Sequence, residues 1–551
     1  MPTYVNANTV NVKTNMFYNN QNIVSVDLRN TPFVNNNMSN GFRTCQNLVE
    51  VTNINNNVVD MKNTFQGCSN LVNAPVIPNS VTNMYQTFYG CYNLVNAPVI
   101  GNSVVDMSRT FGQSSIVNAP IIPNSVTNMH QTFYGCSNLV NAPVIGNSVT
   151  DMASTFMYCS NLINATVIPN SVINMASTFF GCSNLVNAPV IGNSVTDMAS
   201  TFYNCKYLIN APTIPNSVTN MVSTFEACHS LVNAPEIPNN VTNIDQTFRN
   251  CRSLINAPEI PNSITNMWFT FAHCYNLVNA PVIPNSVINL ASCFSYCYNL
   301  VNIPTIPNSV SDMSYTFSVC SNLVSVPTIP NSVTNLSHTF TGCSNLTTTP
   351  IIPNSVTDMD YIFSGCYYLR SVPIIPNSVS NLASSFRLCT NITNMPIIPD
   401  SVINMHETFN GCSDLVNTTD IPDSVTDMHG TFMSCTNLRT SPNIGVSVND
   451  MSSTYFYCSN LTTAPVIPNS VINVYGIFGG CYNLTGNIYI HSNQITNANN
   501  IGLYTTLRKN VYIPYNYSND ERTATYNSFI NAGYDENGTL HGVYLRDINQ
   551  L

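Results

Sequence analysis

Charged residues are scarce in this sequence. They make up 7% of its 551 residues, and the net charge is -10. The 15 Lys and Arg residues are scattered singly, apart from Arg508 and Lys509. Nucleic-acid binding depends on clustered Lys and Arg that displace counterions from phosphates. The composition therefore predicts no nucleic-acid partner, and Asn, Ser and Thr must provide most of the polar surface.

Long apolar runs are also missing. Asn or Pro interrupts every apolar stretch, so no run of about 18 apolar residues exists and no membrane span is predicted. The first twenty residues have neither the basic start nor the apolar centre of a secretory signal. We therefore expect no classical signal peptide.

Cysteine, in contrast, recurs with a fixed period. It stands at positions 45, 68 and 91 and then at every 23rd residue from 136 to 481. Between Cys91 and Cys136 one repeat has lost a residue and carries Ser114 in place of cysteine. A period of this length is typical of stacked repeats, each of which contacts its neighbours. The expectation is about twenty coils of 23 residues with an α/β repeat fold.

Residues 78–100 illustrate the pattern within one coil. Val81, Met84, Phe88, Cys91 and Leu94 are spaced by three or four residues, which predicts one face of a short helix. The residue before the Met position is Asn or Asp in every coil, as at position 83. Such a residue is expected to cap the helix N-terminus.

A short parallel strand is predicted after each such helix. In the segment 96–100, Pro98 and Ile100 are expected to face the core, while Ala97 and Val99 face outward. The position after the proline accepts Val, Thr, Glu, Asp and Asn, but the next residue is always Ile. Proline donates no hydrogen bond, so the strand ladder must be narrow.

The segment SVTNMYQTFYGCYNL resembles the VTxMxxxFxxCxxL core of BspA-like leucine-rich repeat proteins over residues 35–485. This resemblance implies a leucine-rich repeat solenoid with a parallel sheet, displayed on a bacterial surface and adhering to host molecules or other cells. The segment after residue 487 is similar to tails of bacteriophage tail or minor structural proteins. The expected domains are an N-terminal cap (1–34), the solenoid (35–486) and a small α+β C-terminal cap or docking unit (487–551). In the cap, Phe17 and Ile23 take the Phe and Leu positions, and the C-terminal unit is read as strand, helix and a hairpin around Asn537 and Gly538.

No catalytic, metal or cofactor site is predicted. The cysteines lie on the apolar face and are expected to be reduced core residues, and the asparagines from Asn73 to Asn302 are expected to form a side-chain hydrogen-bond ladder. His406 and His429 share one exposed position in neighbouring coils and could chelate only weakly. Glu236 and Glu259 resemble a glycosidase carboxylate pair, but an exposed sheet face provides no cleft for them.

The outward strand position changes character in one region. Its Val and Ala stripe gives way to Thr and Glu and then returns to Val, and the predicted binding residues are Val190, Thr213, Glu236, Glu259 and Val282. The expected function is non-enzymatic attachment, as a phage tail or virion component or a bacterial surface protein. Its partner would be a protein or glycan receptor on a cell surface. The alternative is an extracellular filament or structural subunit whose partners are other copies of itself.

Overall fold

The computed structural model describes residues 3–6, 14–29, 31–502, 509–514, 524–537 and 543–550. It consists of two compact units, Met1–Leu277 and Val278–Leu551, and each is described by itself. The regular elements lie near the ends of the chain. They are β1 (Thr3–Asn6), β2 (Ile23–Asp27), a 3-10 turn (Val34–Asn36), β3 (Glu50–Thr52), β4 (Ile488–Tyr489), β5 (Lys509–Ile513), α1 (Ala524–Asn531), β6 (Val543–Asp547) and a 3-10 turn (Ile548–Gln550).

The predicted helix in each repeat is wrong. Every residue from 37 to 487 is described, and none of them is helical; tight turns take the place of the helix. The amides of Thr87, Cys91 and Leu94 each donate to the carbonyl three residues earlier, at 3.0 to 3.2 Å. Gln86 and Gly90 have φ angles of 52° and 71°, in the left-handed region that a helix excludes. Successive turns return every third or fourth side chain to one side, so they imitate the spacing of a helix.

The other amides of the turn segment bind the next repeat. Met84 N donates to Asp106 O at 2.8 Å, and Phe88 N donates to Thr110 O at 2.8 Å. These bonds align equivalent residues of consecutive repeats within each unit, and a single repeat could not form them.

The predicted capping residue keeps its role as an acceptor in a different structure. Asn83 Oδ1 accepts a hydrogen bond from Tyr85 N at 2.9 Å, which closes an Asx turn. The same bond, to the amide two residues further on, recurs at each of the twenty Asn and Asp positions. The backbone of Asn83 forms parallel bridges with Asp60 and Asp106. The residue therefore orders a turn and a ladder, and not a helix.

Single parallel bridges take the place of the predicted strand. They join the asparagines that begin the predicted segments, such as Asn73 with Asn96. The predicted inward and outward positions are confirmed for the two residues that end the segment. Ile100 is 6% exposed and Val99 is 83% exposed. Pro98 is half-buried, whereas Pro75, Pro143 and Pro212 at the same repeat position are buried, so the proline belongs to the core in those repeats, as predicted.

The core of each unit is a set of parallel side-chain columns. In unit 1 the phenylalanine rings stack from Phe17 to Phe271, with centroids 5.1 to 5.8 Å apart. Fully buried threonines run beside them, and Thr110 Oγ1 lies within 2.8 Å of the carbonyls of Met84 and Met107. Phe17 and Ile23 occupy the Phe and Leu positions, as predicted, and β2 pairs in parallel with β1 and β3.

The C-terminal part of unit 2 is a parallel sheet in the order β4-β5-β6, with α1 between β5 and β6 in the chain. The predicted strand and helix are confirmed. The predicted hairpin is wrong for the described residues that flank its turn, because Asp535 and Tyr544 form a parallel bridge, whereas a hairpin joins antiparallel strands. β6 pairs in parallel with β5, from Lys509 with Val543 to Ile513 with Asp547. A parallel pair needs a crossover such as α1 and cannot be joined by a tight turn. Gly538, the second residue of that hairpin, lies outside the described residues. The domain boundaries after residues 34 and 486 stay predictions.

The glycine that replaces proline in some repeats gives a first prediction. A Cβ at Gly146 would lie 2.3 Å from the carbonyl oxygen of Pro123, whereas at Gly101 the nearest atoms are 3.1 Å away. We expect Gly146→Ala to destabilise unit 1 by about 1 to 3 kcal/mol through this backbone clash. Urea unfolding followed by circular dichroism measures the change, with Gly101→Ala as the matched control. Equal midpoints for the two variants would contradict the clash.

Tyr455 gives a second prediction. Its ring stacks between Phe432 and Phe478 at centroid distances of 5.6 and 5.7 Å, in the column that phenylalanine otherwise occupies. Its hydroxyl is buried without a hydrogen-bond partner, and burial raises its pKa strongly. Tyr455→Phe is therefore expected to stabilise unit 2 by about 1 to 2 kcal/mol. Calorimetry should show a higher unfolding temperature for this variant and a lower one for the reverse change, Phe409→Tyr.

Candidate functional site

The predicted binding residues lie on the exposed strand side of the repeats. Val190, Thr213, Glu236 and Glu259 belong to unit 1, and all four side chains are exposed. Each is followed by a buried isoleucine, which fixes the outward direction of the residue before it. Val282 is 80% exposed and belongs to unit 2. We call Val190, Thr213, Glu236 and Glu259 together the acidic row, after its two glutamates.

Two surface depressions lie along the acidic row. The larger, about 930 Å³ in volume, is lined by Thr213, Glu236 and Glu259 together with the backbone turns between them. The smaller, about 350 Å³, is lined by Val190 and Thr213. Thr213 thus borders both depressions, whereas Glu236 and Glu259 line only the larger one and Val190 lines only the smaller one.

The larger depression is also lined by residue types that the neighbouring repeats share. Proline and asparagine side chains line it beside the acidic row, among them Pro212, Pro235, Asn210 and Asn233. These residues were not expected at the site because the neighbouring repeats carry the same residue types. From the sequence, these residues could be assigned to the site only by their fixed spacing from the outward position of each repeat.

Glu236 and Glu259 offer free carboxylates. Within the part of the chain that the structure describes, neither has a hydrogen-bond or ion-pair partner, and both line the same depression. Two like charges without a partner favour binding of a group that donates hydrogen bonds or carries positive charge.

Apolar residues occupy the outward position in other repeats of each unit. From Val76 to Val190 the outward position holds Val or Ile, with exposed fractions between 62% and 83%. In unit 2, Ile351, Ile374 and Ile397 are between 81% and 90% exposed. Exposed apolar rows of this length mark surfaces that contact a partner.

Comparison with known proteins identifies the repeat. The family profile described as "BspA type Leucine rich repeat region (6 copies)" matches residues 3–115, 107–232, 222–347, 313–431 and 405–530. The chain belongs to this family. A crystal structure of a leucine-rich repeat protein from Bacteroides ovatus ATCC 8483 is similar, with 23% identity, coverage of 54% of this chain and 76% of that chain, and a TM-score of 0.42. No curated protein sequence matches the chain.

The BspA-type repeat contains no membrane-spanning helix among its described residues, because none of their helices has the length and apolarity that a bilayer crossing needs.

The cysteines of the BspA-type repeat are all free and buried, as predicted. Each thiol of the column donates to a backbone carbonyl of the preceding repeat, as Cys91 Sγ does to Phe65 O at 3.1 Å. Burial raises the pKa of Cys45 and Cys136 to about 11. Ser114 replaces the thiol with a hydroxyl that donates to Phe111 O at 2.7 Å, so the position requires a small donor and not a reactive sulfur.

The predicted asparagine ladder forms mainly through the backbone. Parallel bridges run from Asn73 to Asn256, but the side chains bond directly only at some steps, such as Asn164 Nδ2 to Asn141 Oδ1 at 3.0 Å. In unit 2, Asn302 Nδ2 donates to Asn279 Oδ1 at 2.7 Å. The asparagines are therefore structural, and the ladder needs no particular side chain at each step.

One group of potential metal ligands lies in unit 2. The rings of His406 and His429 stack with centroids 4.8 Å apart, and with Glu407 they offer ligand atoms that lie within 4.8 Å of one another. The two histidines were noted from the sequence, but Glu407 was not. In the sequence, only the position of Glu407 directly after His406 indicated that it belongs to the cluster, because the turn brings Glu407 beside His429 of the next repeat.

The thiols give a third prediction. Because burial raises their pKa and covers them, a thiol reagent at pH 8 should modify at most one or two cysteines of the native chain, and all 20 after unfolding in urea. Reaction with a chromogenic disulfide reagent counts them. Rapid modification of many thiols in the folded protein would contradict their role in packing.

The same pKa shifts determine how stability depends on pH. The native pKa of Cys136 is about 11, above the ordinary value of 9.0, so the unfolded chain ionises first as the pH rises. The stability due to the buried neutral thiol is complete below pH 9 and is lost between about 9 and 11.

Proposed function

We propose that this BspA-type chain is a non-enzymatic binding protein that acts outside the cell, as a phage tail or virion component or on a bacterial surface. The acidic row in unit 1 is its contact site for a protein or glycan receptor. The observation that carries this proposal is the placement of Thr213, Glu236 and Glu259 around one depression of about 930 Å³.

The repeat supports a binding role because its stabilising bonds leave the outward side chains of Glu236 and Glu259 free. Hydrogen bonds between repeats use backbone atoms and inward side chains such as Thr110 and Cys91, and the buried columns use the inward side chains. A change from Val to Thr or Glu at the outward position therefore costs little stability and alters only the surface. Free carboxylates beside asparagine amides suit the hydroxyl groups of a glycan or the cationic and amide groups of a protein.

A fourth prediction tests the site. The double charge reversal Glu236→Lys with Glu259→Lys should weaken binding of the labelled full chain to glycan arrays and to intact bacterial cells by at least about tenfold, because it replaces two acceptors with cations. Ile351→Lys with Ile374→Lys is the control, since both residues occupy the same outward position in unit 2 and are exposed, and the change adds two cations outside the acidic row. Unchanged binding by the correctly folded double variant would place the contact elsewhere.

Self-assembly is the second candidate function, and the apolar rows favour it. The side chains from Val76 to Val190 present a strip that a second copy could cover. Sedimentation of the purified chain distinguishes the two functions, because a filament subunit forms large particles without any receptor. Fractionation of a producing culture tests the location, since a virion or surface component should be recovered with particles or cell envelopes and not as free cytosolic chain.

A further inference from the structure

The cluster of His406, Glu407 and His429 resembles a partly assembled metal site. The two imidazole rings are nearly parallel, with an interplanar angle of 18° and a centroid separation of 4.8 Å. Glu407 adds a carboxylate oxygen within 4.8 Å of a nitrogen of each ring. All three residues are half-buried, so solvent ions can reach them.

Hydrogen bonds fix which nitrogen of His429 carries its lone pair. Ser452 Oγ lies 2.5 Å from Asp450 Oδ1 and 2.6 Å from His429 Nδ1. A hydroxyl has one proton, and the carboxylate, which can only accept, takes it. Ser452 Oγ must then accept the proton of His429 Nδ1. This leaves Nε2 of His429 as the unprotonated nitrogen, which is the form that binds a metal ion.

His406 has a similar support on its Nδ1 side. Its Nδ1 lies 3.8 Å from Asp427 Oδ2, and Asp427 Oδ1 accepts the amide of His429 at 2.8 Å. The carboxylate is therefore held in place beside the ring, at a distance that gives an electrostatic contact and not a hydrogen bond. Carboxylates and hydroxyls behind the ligand histidines are the usual support of metal sites, because they orient the ring and raise its basicity.

The charges around the cluster favour a cation. Glu407, Asp427 and Asp450 surround the two histidines, and Arg387 is the basic residue beside them, with its Nε 3.2 Å from Glu407 Oε2. This ion pair engages Oε2, and among the described residues the second oxygen of Glu407, Oε1, has no hydrogen-bond or ion-pair partner.

We propose that His406, His429 and Glu407 bind one divalent transition-metal ion, and that zinc is the preferred ion. Two imidazoles and a carboxylate are a ligand set that zinc accepts, with water as the fourth ligand. Bonds of about 2.0 to 2.2 Å require the ligand atoms to close to roughly 3.3 Å from one another. The exposed fraction of the His406 side chain, 40%, leaves room for that rotation.

Calorimetric titration of the full chain with zinc tests the proposal. The chain is first treated with a chelator, and a phosphine reductant is present throughout. We expect one zinc ion per chain. His406→Ala and His429→Ala should each weaken binding by more than about tenfold, and Glu407→Gln should weaken it less. Ser452→Ala removes no ligand but should still reduce affinity about tenfold, because the Nδ1 proton of His429 loses its acceptor.

His130→Ala is the matched control. His130 occupies the same repeat position as His406, and its amide donates to the preceding Asn128 as that of His406 does to Asn404, but it belongs to no metal-ligand cluster of the described residues. This variant should bind zinc like the unmodified chain. Cobalt absorption distinguishes imidazole and carboxylate ligands from thiolates, and circular dichroism confirms that each variant is folded. Any one of three results would overturn the proposal. They are the absence of saturable zinc binding in the micromolar range, unchanged zinc binding in both histidine variants, and a cobalt spectrum typical of thiolate ligands.

Discussion

The hydrogen bonds between consecutive repeats are the interaction on which the rest of the structure depends. Gln86 N donates to Ser108 O and Gly90 N donates to Gly112 O. The turn-segment amides that do not close a turn within their own repeat thus have their partners in the next repeat. Isolated repeats would leave these groups unpaired in a partly apolar interior. The bonds also fix the register, because a shift by one residue would move the Phe and Cys columns out of the core. This requirement explains the constant period of 23 residues better than the identity of any side chain does.

The repeat that contains Ser114 shows where this constraint relaxes. It lacks one residue between the Cys and Leu positions, so Ser114 and Ile116 are two apart where Cys91 and Leu94 are three apart. The ring of Phe111 still stacks on both neighbours, and the bridge ladders continue through Asp106 and Asn118. The lost residue falls in the corner where, one repeat earlier, Asn93 N donates to Ser69 O at 3.1 Å. In the shortened repeat Ser115 Oγ donates to Tyr92 O, so a side chain makes the bond to the preceding repeat and this corner tolerates the change in length.

The period and the apolar pattern were enough to predict the family, the buried positions and the outward row. They could not distinguish a helix from a run of turns, because both return side chains to one face every three or four residues. The decisive information was the positive φ at positions such as Gln86, a residue type that gives no warning of a left-handed turn. The acidic row could be located because a buried isoleucine, such as Ile237, follows each of its residues and directs the preceding side chain outward. Its ligand could not be predicted, since exposed Thr and Glu suit many partners.

Register also explains how a repeat of neutral residues can acquire specific sites. Equivalent exposed positions of adjacent repeats are brought into contact, so one substitution repeated in the next coil makes a pair. The ring of His338 stacks between those of Tyr315 and Tyr361, with centroid distances of 4.2 and 4.5 Å. His406 likewise stacks on His429, the equivalent residue of the adjacent repeat. Because the bonds that hold the repeats together do not depend on these exposed side chains, such pairs can arise without loss of the fold. Functional sites in this chain are therefore expected where neighbouring repeats share an uncommon residue, as they do at Glu236 and Glu259.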